Sequence, residues 1–263
     1  MRGIRIFVIF ILLSLALSTP AFAQFDMQLI AVMQGETDGV SFGVRLAGVG
    51  DINADGVEDL AVGQYGKTFI YFGSKNFDTI PDIIFPFSCG CIAHGDVNGD
   101  GIQDLLLTRF SLLAVWIYYG GSPYDTIPDK VLVAPDTISP PTTSFGYRIA
   151  TGDINKGGHD DIAIHGNNNK VYIYLGGEDM LTTPAYVLQG PLYDPYINYF
   201  GLDGLAIGDI NGDGYGDLAV STTPPSPQPE STYIYFGGVE LDTIPGLKLE
   251  GGGCPGRSKW IWL

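Results

Sequence analysis

The chain has 263 residues, 45% of them hydrophobic, with 29 acidic and 13 basic side chains and a formal charge of −16. Phosphate backbones and anionic bilayers are held by clustered Lys and Arg, so this balance argues against nucleic acid and against negatively charged membrane surfaces. A chain this apolar is not disordered by composition, and its Gly, Pro, Tyr, Phe, Val and Ile, without any long 3.6-residue apolar period, point to an all-β fold of short strands and tight turns.

In chain order, Arg2 and Arg5 precede an apolar run from Ile6 to Leu17, Pro20 breaks it, and Ala21-Phe22-Ala23 supplies a small-x-small cleavage pattern. That run falls short of the roughly 20 residues that span a bilayer, so residues 1–23 read as a signal peptide and Gln24 as the mature N-terminus. Removing it leaves eleven basic against 29 acidic residues, a charge of −18. No second apolar run is long enough to span. The mature chain is therefore expected to be secreted, to the extracellular space or a periplasm, with no membrane span. Met27 to Gln34 resembles the last strand of the units that follow.

Those units are four copies of one pattern. The first runs from Phe42-Gly43 through Asp51, Asn53, Asp55, Gly56 and Asp59 into Leu60-Ala61-Val62. The second runs from Phe87 through Asp96, Asn98, Asp100 and Asp104 into Leu105-Leu106-Leu107. Phe145-Gly146, Asp153, Asn155 and Asp161 begin the third, and Phe200-Gly201, Asp209, Asn211, Asp213 and Asp217 the fourth. Each continues into an alternating aromatic strand ending in glycine, at Gly73, Gly120, Gly176 and Gly237. Asp78-Thr79-Ile80-Pro81 follows, echoed at Asp125–Pro128 and Asp242–Pro245, and then one more apolar run. Four strands in a unit of about 50 residues describe the blade of a β-propeller. The expected organisation is a repeat segment over 24–250, with blades at about 41–87, 88–143, 144–198 and 199–250, and an irregular tail over 251–263. Where a fifth Phe-Gly and acidic loop would begin, the pattern stops, as in a truncated or frame-shifted reading of a longer protein. Faces open at the terminal blades would favour self-association.

The nine-residue loops have the chemistry of a hard-cation site. Side-chain oxygens at positions 1, 3, 5 and 9 and a carbonyl at position 7 can converge on one ion, with Gly at position 6 allowing the turn. Oxygen-only ligation in a flexible loop suits Ca2+ better than Mg2+ or a transition metal. The candidate ligands are Asp51, Asn53, Asp55, Val57 (carbonyl) and Asp59; Asp96, Asn98, Asp100, Ile102 (carbonyl) and Asp104; Asp153, Asn155, His159 (carbonyl) and Asp161; and Asp209, Asn211, Asp213, Tyr215 (carbonyl) and Asp217. That makes up to four Ca2+ ions, the site at 153–161 being the weakest because Gly157 replaces the position-5 aspartate. A helical calcium loop would need a carboxylate at position 12, where this chain has Val62, Leu107, Ile164 and Val220.

At these residues the chain resembles the FG-GAP repeats of the integrin α-subunit propeller, and the VCBS-type repeats of many bacterial secreted proteins, over about residues 41 to 250. The Phe-Gly pairs at 42–43, 145–146 and 200–201 and the acidic loops carry the resemblance; the second copy has Phe87-Ser88, and the Gly-Ala-Pro element is missing from every copy, Val62-Gly63-Gln64 standing closest to it. It implies calcium between the first two strands of each blade and loops presented to a protein or glycan ligand, in adhesion or ligand binding. Complete domains of the family have about seven blades, which makes these four part of a larger propeller.

Catalytic patterns are scarce. There is no Gly-x-Ser-x-Gly elbow and no phosphate loop, and His94, His159 and His165 read as packing or surface residues. The expectation is a binding module and not an enzyme, with a substrate-binding or scaffold part of a larger, polysaccharide-active secreted enzyme as the alternative. Cys89 and Cys91 read either as small buried hydrophobes or as a linked pair, and Cys254 stays unassigned.

Overall fold

The computed structural model describes residues 31–35, 41–135, 144–191 and 199–251. The signal-peptide reading, Cys254 and all of the tail but Gly251 lie outside them. Of the unit Met1–Val32 only residues 31 and 32 are described. Residues 31–35 form no strand, so the outer strand expected over Met27–Gln34 is not borne out where it can be seen; the rest of that stretch lies outside the described residues.

The unit Met33–Leu263 contains β1 (Arg45–Gly50), β2 (Asp59–Gln64), β3 (Lys67–Tyr71), β4 (Ile83–Phe85), β5 (Ile92–Gly95), β6 (Asp104–Arg109), β7 (Ala114–Tyr118), β8 (Lys130–Val133), β9 (Ile149–Gly152), β10 (Asp161–His165), β11 (Lys170–Tyr174), β12 (Tyr186–Gln189), β13 (Phe200–Gly208), β14 (Asp217–Thr222), β15 (Ser231–Tyr235) and β16 (Leu247–Glu250). One 3-10 turn, Phe110–Leu112, is the only helical element among the described residues. The strands form four four-stranded antiparallel sheets, each in chain order: β1–β4, β5–β8, β9–β12 and β13–β16. The chain is all-β and its sheets are propeller blades.

First strands of successive blades are neighbours, β1 beside β5, β5 beside β9 and β9 beside β13. The middle strands are consequently covered on both faces, which is why they read as almost unbroken apolar runs. Leu105, Leu106 and Leu107 in β6 are all fully buried, as are Ile162, Ala163 and Ile164 in β10. Successive residues of one strand serve successive cores. Leu105, Leu107 and Tyr118 pack against blade 1 with Ile70 and Phe85. Leu106 and Ile117, one residue away, pack against blade 3 with Ile162 and Tyr174. Ala163 and Ile173 then face Leu218 and Tyr235 of blade 4.

The phenylalanine that opens each repeat packs on the third-strand aromatic of its own blade. Phe42 meets Phe69 at 5.8 Å between ring centroids, Phe87 meets Trp116 at 5.7 Å, Phe145 meets Tyr172 at 6.0 Å and Phe200 meets Tyr233 at 5.9 Å. Blade 2 keeps this contact although Ser88 replaces the glycine.

Candidate functional site

Each acidic loop joins the first and second strands of a blade, and its first residues fold over the turn they start. In the first loop, Asp51 Oδ1 and Asn53 Oδ1 both accept the Asp55 N–H at 3.0 Å, and Asp51 Oδ2 accepts Gly56 N–H at 2.7 Å. Asp55 Oδ1 accepts Val57 N–H, and the Asn53 amide donates to Asp55 Oδ2. The second loop repeats the set at Asp96, Asn98, Asp100 and Ile102, the fourth at Asp209, Asn211, Asp213 and Tyr215. In the third, Asp153 and Asn155 share the Gly157 N–H, with no carboxylate at position 5. Positions 1, 3 and 5 are therefore gathered on one turn. Gly56, Gly101, Gly158 and Gly214 take φ of 82–90° there, a left-handed conformation that only glycine adopts cheaply.

The position-9 aspartate does something different. Asp59, Asp104, Asp161 and Asp217 are at most 2% exposed. One oxygen of each accepts the N–H of loop position 2, from Ile52, Val97, Ile154 and Ile210, at 2.8–3.0 Å. The other accepts the N–H of the glycine after the third strand, Gly73, Gly120, Gly176 and Gly237, at 2.7–2.9 Å. Burial pushes the Asp59 carboxyl above its ordinary value, Asp104 up to about 7 and Asp161 up to about 6, against the opposing pull of these N–H groups. These aspartates tie loop to sheet before any ion is considered.

A second glycine completes the arrangement. Gly121, Gly177 and Gly238 donate to the carbonyls of Ile52, Val97 and Ile154, loop position 2 of the preceding blade, at 2.8–3.0 Å. Loops 1–3 are each clasped by the following blade, and their position-2 side chains are buried. In loop 4, Ile210 is 50% exposed. The Gly-Gly pairs at 120–121, 176–177 and 237–238 are visible in the sequence, but there they read only as strand ends. Asp160 was also missed: its Oδ2 accepts Asp96 N–H at 2.9 Å and its N–H donates to Asp96 O at 2.8 Å, joining loops 2 and 3.

Among the described residues, no group of three or more His, Cys, Asp or Glu side chains closes around a common point. Each loop instead offers two or three carboxylates, one Asn carbonyl and one main-chain carbonyl. The loop oxygens now receive N–H groups and keep lone pairs free, a donor set that fits a hard cation.

The histidines are packing residues. His94 Nδ1 lies 2.7 Å from Gln103 Oε1, His165 is fully buried with Nδ1 3.0 Å from Ser144 O, and the His159 ring lies against Gly99 of the second loop. Cys89 and Cys91 are unlinked thiols raised by burial, Cys89 within the core between blades 1 and 2.

The comparisons with known proteins fall on these loops. A family model described as FG-GAP-like repeat matches residues 51–107, and one described as FG-GAP repeat matches 203–235. The chain carries FG-GAP repeats. Curated relatives include integrin alpha-5 of Xenopus laevis, 29% identical over 122 residues, and integrin alpha-PS3 of Drosophila melanogaster, 36% identical over 91. Integrin alpha-6 of Homo sapiens is 31% identical over 119. These alignments cover 41%, 32% and 41% of this chain but only 11%, 8% and 10% of the relatives, so the chain matches about a tenth of their length. Among solved structures, an Agrocybe aegerita lectin described by its recognition of non-reducing terminal N-acetylglucosamine aligns with TM-score 0.44 and 15% identity, over 76% of this chain and 50% of the lectin. No helix among the described residues is long and apolar enough to cross a membrane.

Proposed function

We propose that this FG-GAP protein is a secreted calcium-binding module that presents its blade ends to a protein or glycan ligand in adhesion or ligand binding. The observation that carries the reading is the loop set: four turns in one register, three of them offering Asp, Asn, Asp and Asp oxygens, all anchored to the sheet by the same buried carboxylate. Asp51, Asn53, Asp55, Asp59 and the Val57 carbonyl would hold the first ion, and the corresponding residues from 96, 153 and 209 the others. The ion supplies charge neutralisation and cross-linking and takes part in no reaction. The protein's own residues fix the turn, through the shared N–H of position 5, and the attachment to the sheet, through position 9. Secretion rests on the leader pattern of residues 1–23.

Binding fits these residues better than catalysis, since the acids are accounted for by the repeat and the histidines by packing. Calorimetric titration with CaCl2 tests the metal reading: three sites of similar affinity and one weaker site are expected per chain. Extracellular calcium modules bind at about 10⁻⁴ to 10⁻³ M. A flat titration up to several times that range would defeat it.

A further inference from the structure

Four large aliphatic side chains project from this fold at one recurring place. Ile80, Ile127 and Ile244 are 71%, 72% and 71% exposed, and Leu181 is 70% exposed. Each lies in the connection between the third and fourth strands of its blade, at the end that carries the acidic loop. The three isoleucines occupy the same position of Asp-Thr-Ile-Pro, and the first aspartate of each accepts the isoleucine N–H on Oδ1, at 2.8, 2.7 and 2.9 Å. The following proline fixes the next φ. Blade 3 has a different loop sequence, yet it exposes Leu181 two positions earlier to the same degree.

Packing does not account for them. The residue just before each of these turns, Phe77, Tyr124, Met180 and Leu241, already faces a core. One exposed isoleucine on a surface is ordinary. Three blades hold the side chain outward on the same hydrogen-bonded turn, and blade 3 exposes an aliphatic side chain from the same connection without it, a pattern that points to an occupant.

The surroundings indicate its charge. Ile80 stands between Asp78 and Asp82, Ile127 between Asp125 and Asp129, and Ile244 follows Glu240 and Asp242. In blade 1 a concavity of about 210 Å³ is lined by Asn53, Asp55, Asp78, Ile80 and Asp82 together with Phe72 and the buried Tyr71. Calcium in the loop would engage Asn53 and Asp55, while the exposed Asp78 and Asp82, which accept Ile80 N–H and Phe72 N–H on one oxygen each, keep their other oxygens for a partner. Branched aliphatic side chains lack the flat ring on which a sugar stacks, and the acids repel an anionic lipid surface. We propose that this end of the blades docks a basic protein partner, whose apolar depressions receive the isoleucines and whose Lys or Arg groups meet the flanking aspartates. The proposal rests on the reading of the chain as a ligand-binding module and assigns the ligand to the protein class.

The test uses the full chain as target for a phage-displayed library of random twelve-residue peptides, with millimolar calcium present. Enriched peptides should combine Lys or Arg with Leu, Ile or Val. The best of them, synthesised, should bind the triple variant Ile80→Ser, Ile127→Ser, Ile244→Ser at least about tenfold more weakly, since apolar area buried on docking is lost, and Leu181→Ser should weaken it further. All four side chains are exposed, so the thermal midpoint should stay put, which keeps a folding defect from imitating the result. Failure to enrich, acidic consensus peptides, or equal binding to the triple variant would overturn the proposal. So would isoleucine-dependent capture by phosphatidylserine vesicles, which would make the occupant a membrane. Peptide binding that persists while calcium neither binds nor stabilises would sink the calcium reading alone; calcium stabilisation without isoleucine-dependent binding would sink the docking proposal alone.

Discussion

Replacing Asp104 by Ala in calcium-free protein separates the scaffold of an acidic loop from its donors. The Asp104 carboxylate accepts Val97 N–H at 2.8 Å, Asn98 N–H at 3.3 Å and Gly120 N–H at 2.9 Å, and the residue is fully buried. Val97 N–H keeps a second acceptor, Gly95 O at 3.1 Å, so alanine strands two backbone donors, those of Asn98 and Gly120. At about 1–3 kcal/mol for each stranded buried donor, the gross loss is on the order of 2–6 kcal/mol. Part is recovered because a carboxylate no longer has to be held out of water, the same burial that pushes its pKa up to about 7. The expected net loss is about 3 kcal/mol. Urea unfolding in chelator reads it as a lower midpoint at unchanged slope. Asp100 provides the contrast: it is exposed, and its carboxylate accepts Ile102 N–H and the Asn98 amide, while its own N–H bonds would survive in alanine. Asp100→Ala should cost far less in chelator while removing one ion's share of the calcium stabilisation. If Asp104→Ala in chelator unfolds within about 0.5 kcal/mol of the parent, the buried aspartate is not the anchor and the division of labour within the loop is wrong.

Gly157→Asp restores the missing carboxylate of the third loop. Its Cβ would approach Asn155 Oδ1 to 2.6 Å, so the asparagine must turn; calorimetry should then show the weak site rising at least about tenfold in affinity to match the others. Gly176→Ala should be much more damaging than Gly43→Ala. At 176 a Cβ meets backbone oxygens of Asp160 at 2.4 Å and Val97 at 2.9 Å, whereas at 43 the space is open and only the φ of 81° is strained, costing about 1 kcal/mol; thermal melts of the pair measure the difference. His165 supplies a pH dependence. Burial lowers its pKa to about 4 from 6.5, and Nε2 has no partner. The unfolded chain thus takes up this proton at higher pH than the folded one, and stability falls as pH drops from 6.5 towards 4, by about 3 kcal/mol over the window. His165→Gln should remove that component from the difference between urea unfolding at pH 7 and at pH 4.5, and an unchanged slope would contradict it.

Blade architecture was legible in the sequence because strands covered on both faces leave apolar runs such as Leu105–Leu107, punctuated by loops of fixed chemistry. The fourth strands bury one residue each in blades 1 to 3, Phe85, Leu132 and Leu188, and none in blade 4, where Leu247–Glu250 is exposed throughout. The acidic loops were legible as donor sets, yet their internal division was not. Position 9 looks like positions 1 and 5 on paper, and only its burial shows that it bonds the first glycine of each Gly-Gly pair. The second glycine acts across a blade boundary, at distances in sequence such as Gly121 to Ile52 that no local pattern encodes. Met27–Gln34 shows the opposite failure: an apolar alternation like that of a fourth strand, with no strand over residues 31–34. Asp-Thr-Ile-Pro was visible as a repeat, but the outward direction of its isoleucine depends on the Asx turn, which a sequence displays only as a turn-favouring composition.

Calcium held by these loops in the folded protein would stabilise it against heat. Thermal unfolding in chelator and then in millimolar calcium tests this most directly, because ions that bind only the native state raise the midpoint by mass action. One cooperative transition is expected, climbing with calcium and losing much of that gain in the double variant Asp55→Ala, Asp213→Ala. A midpoint indifferent to calcium, with the double variant melting as the parent does, would reduce the four loops to turns held by their own hydrogen bonds.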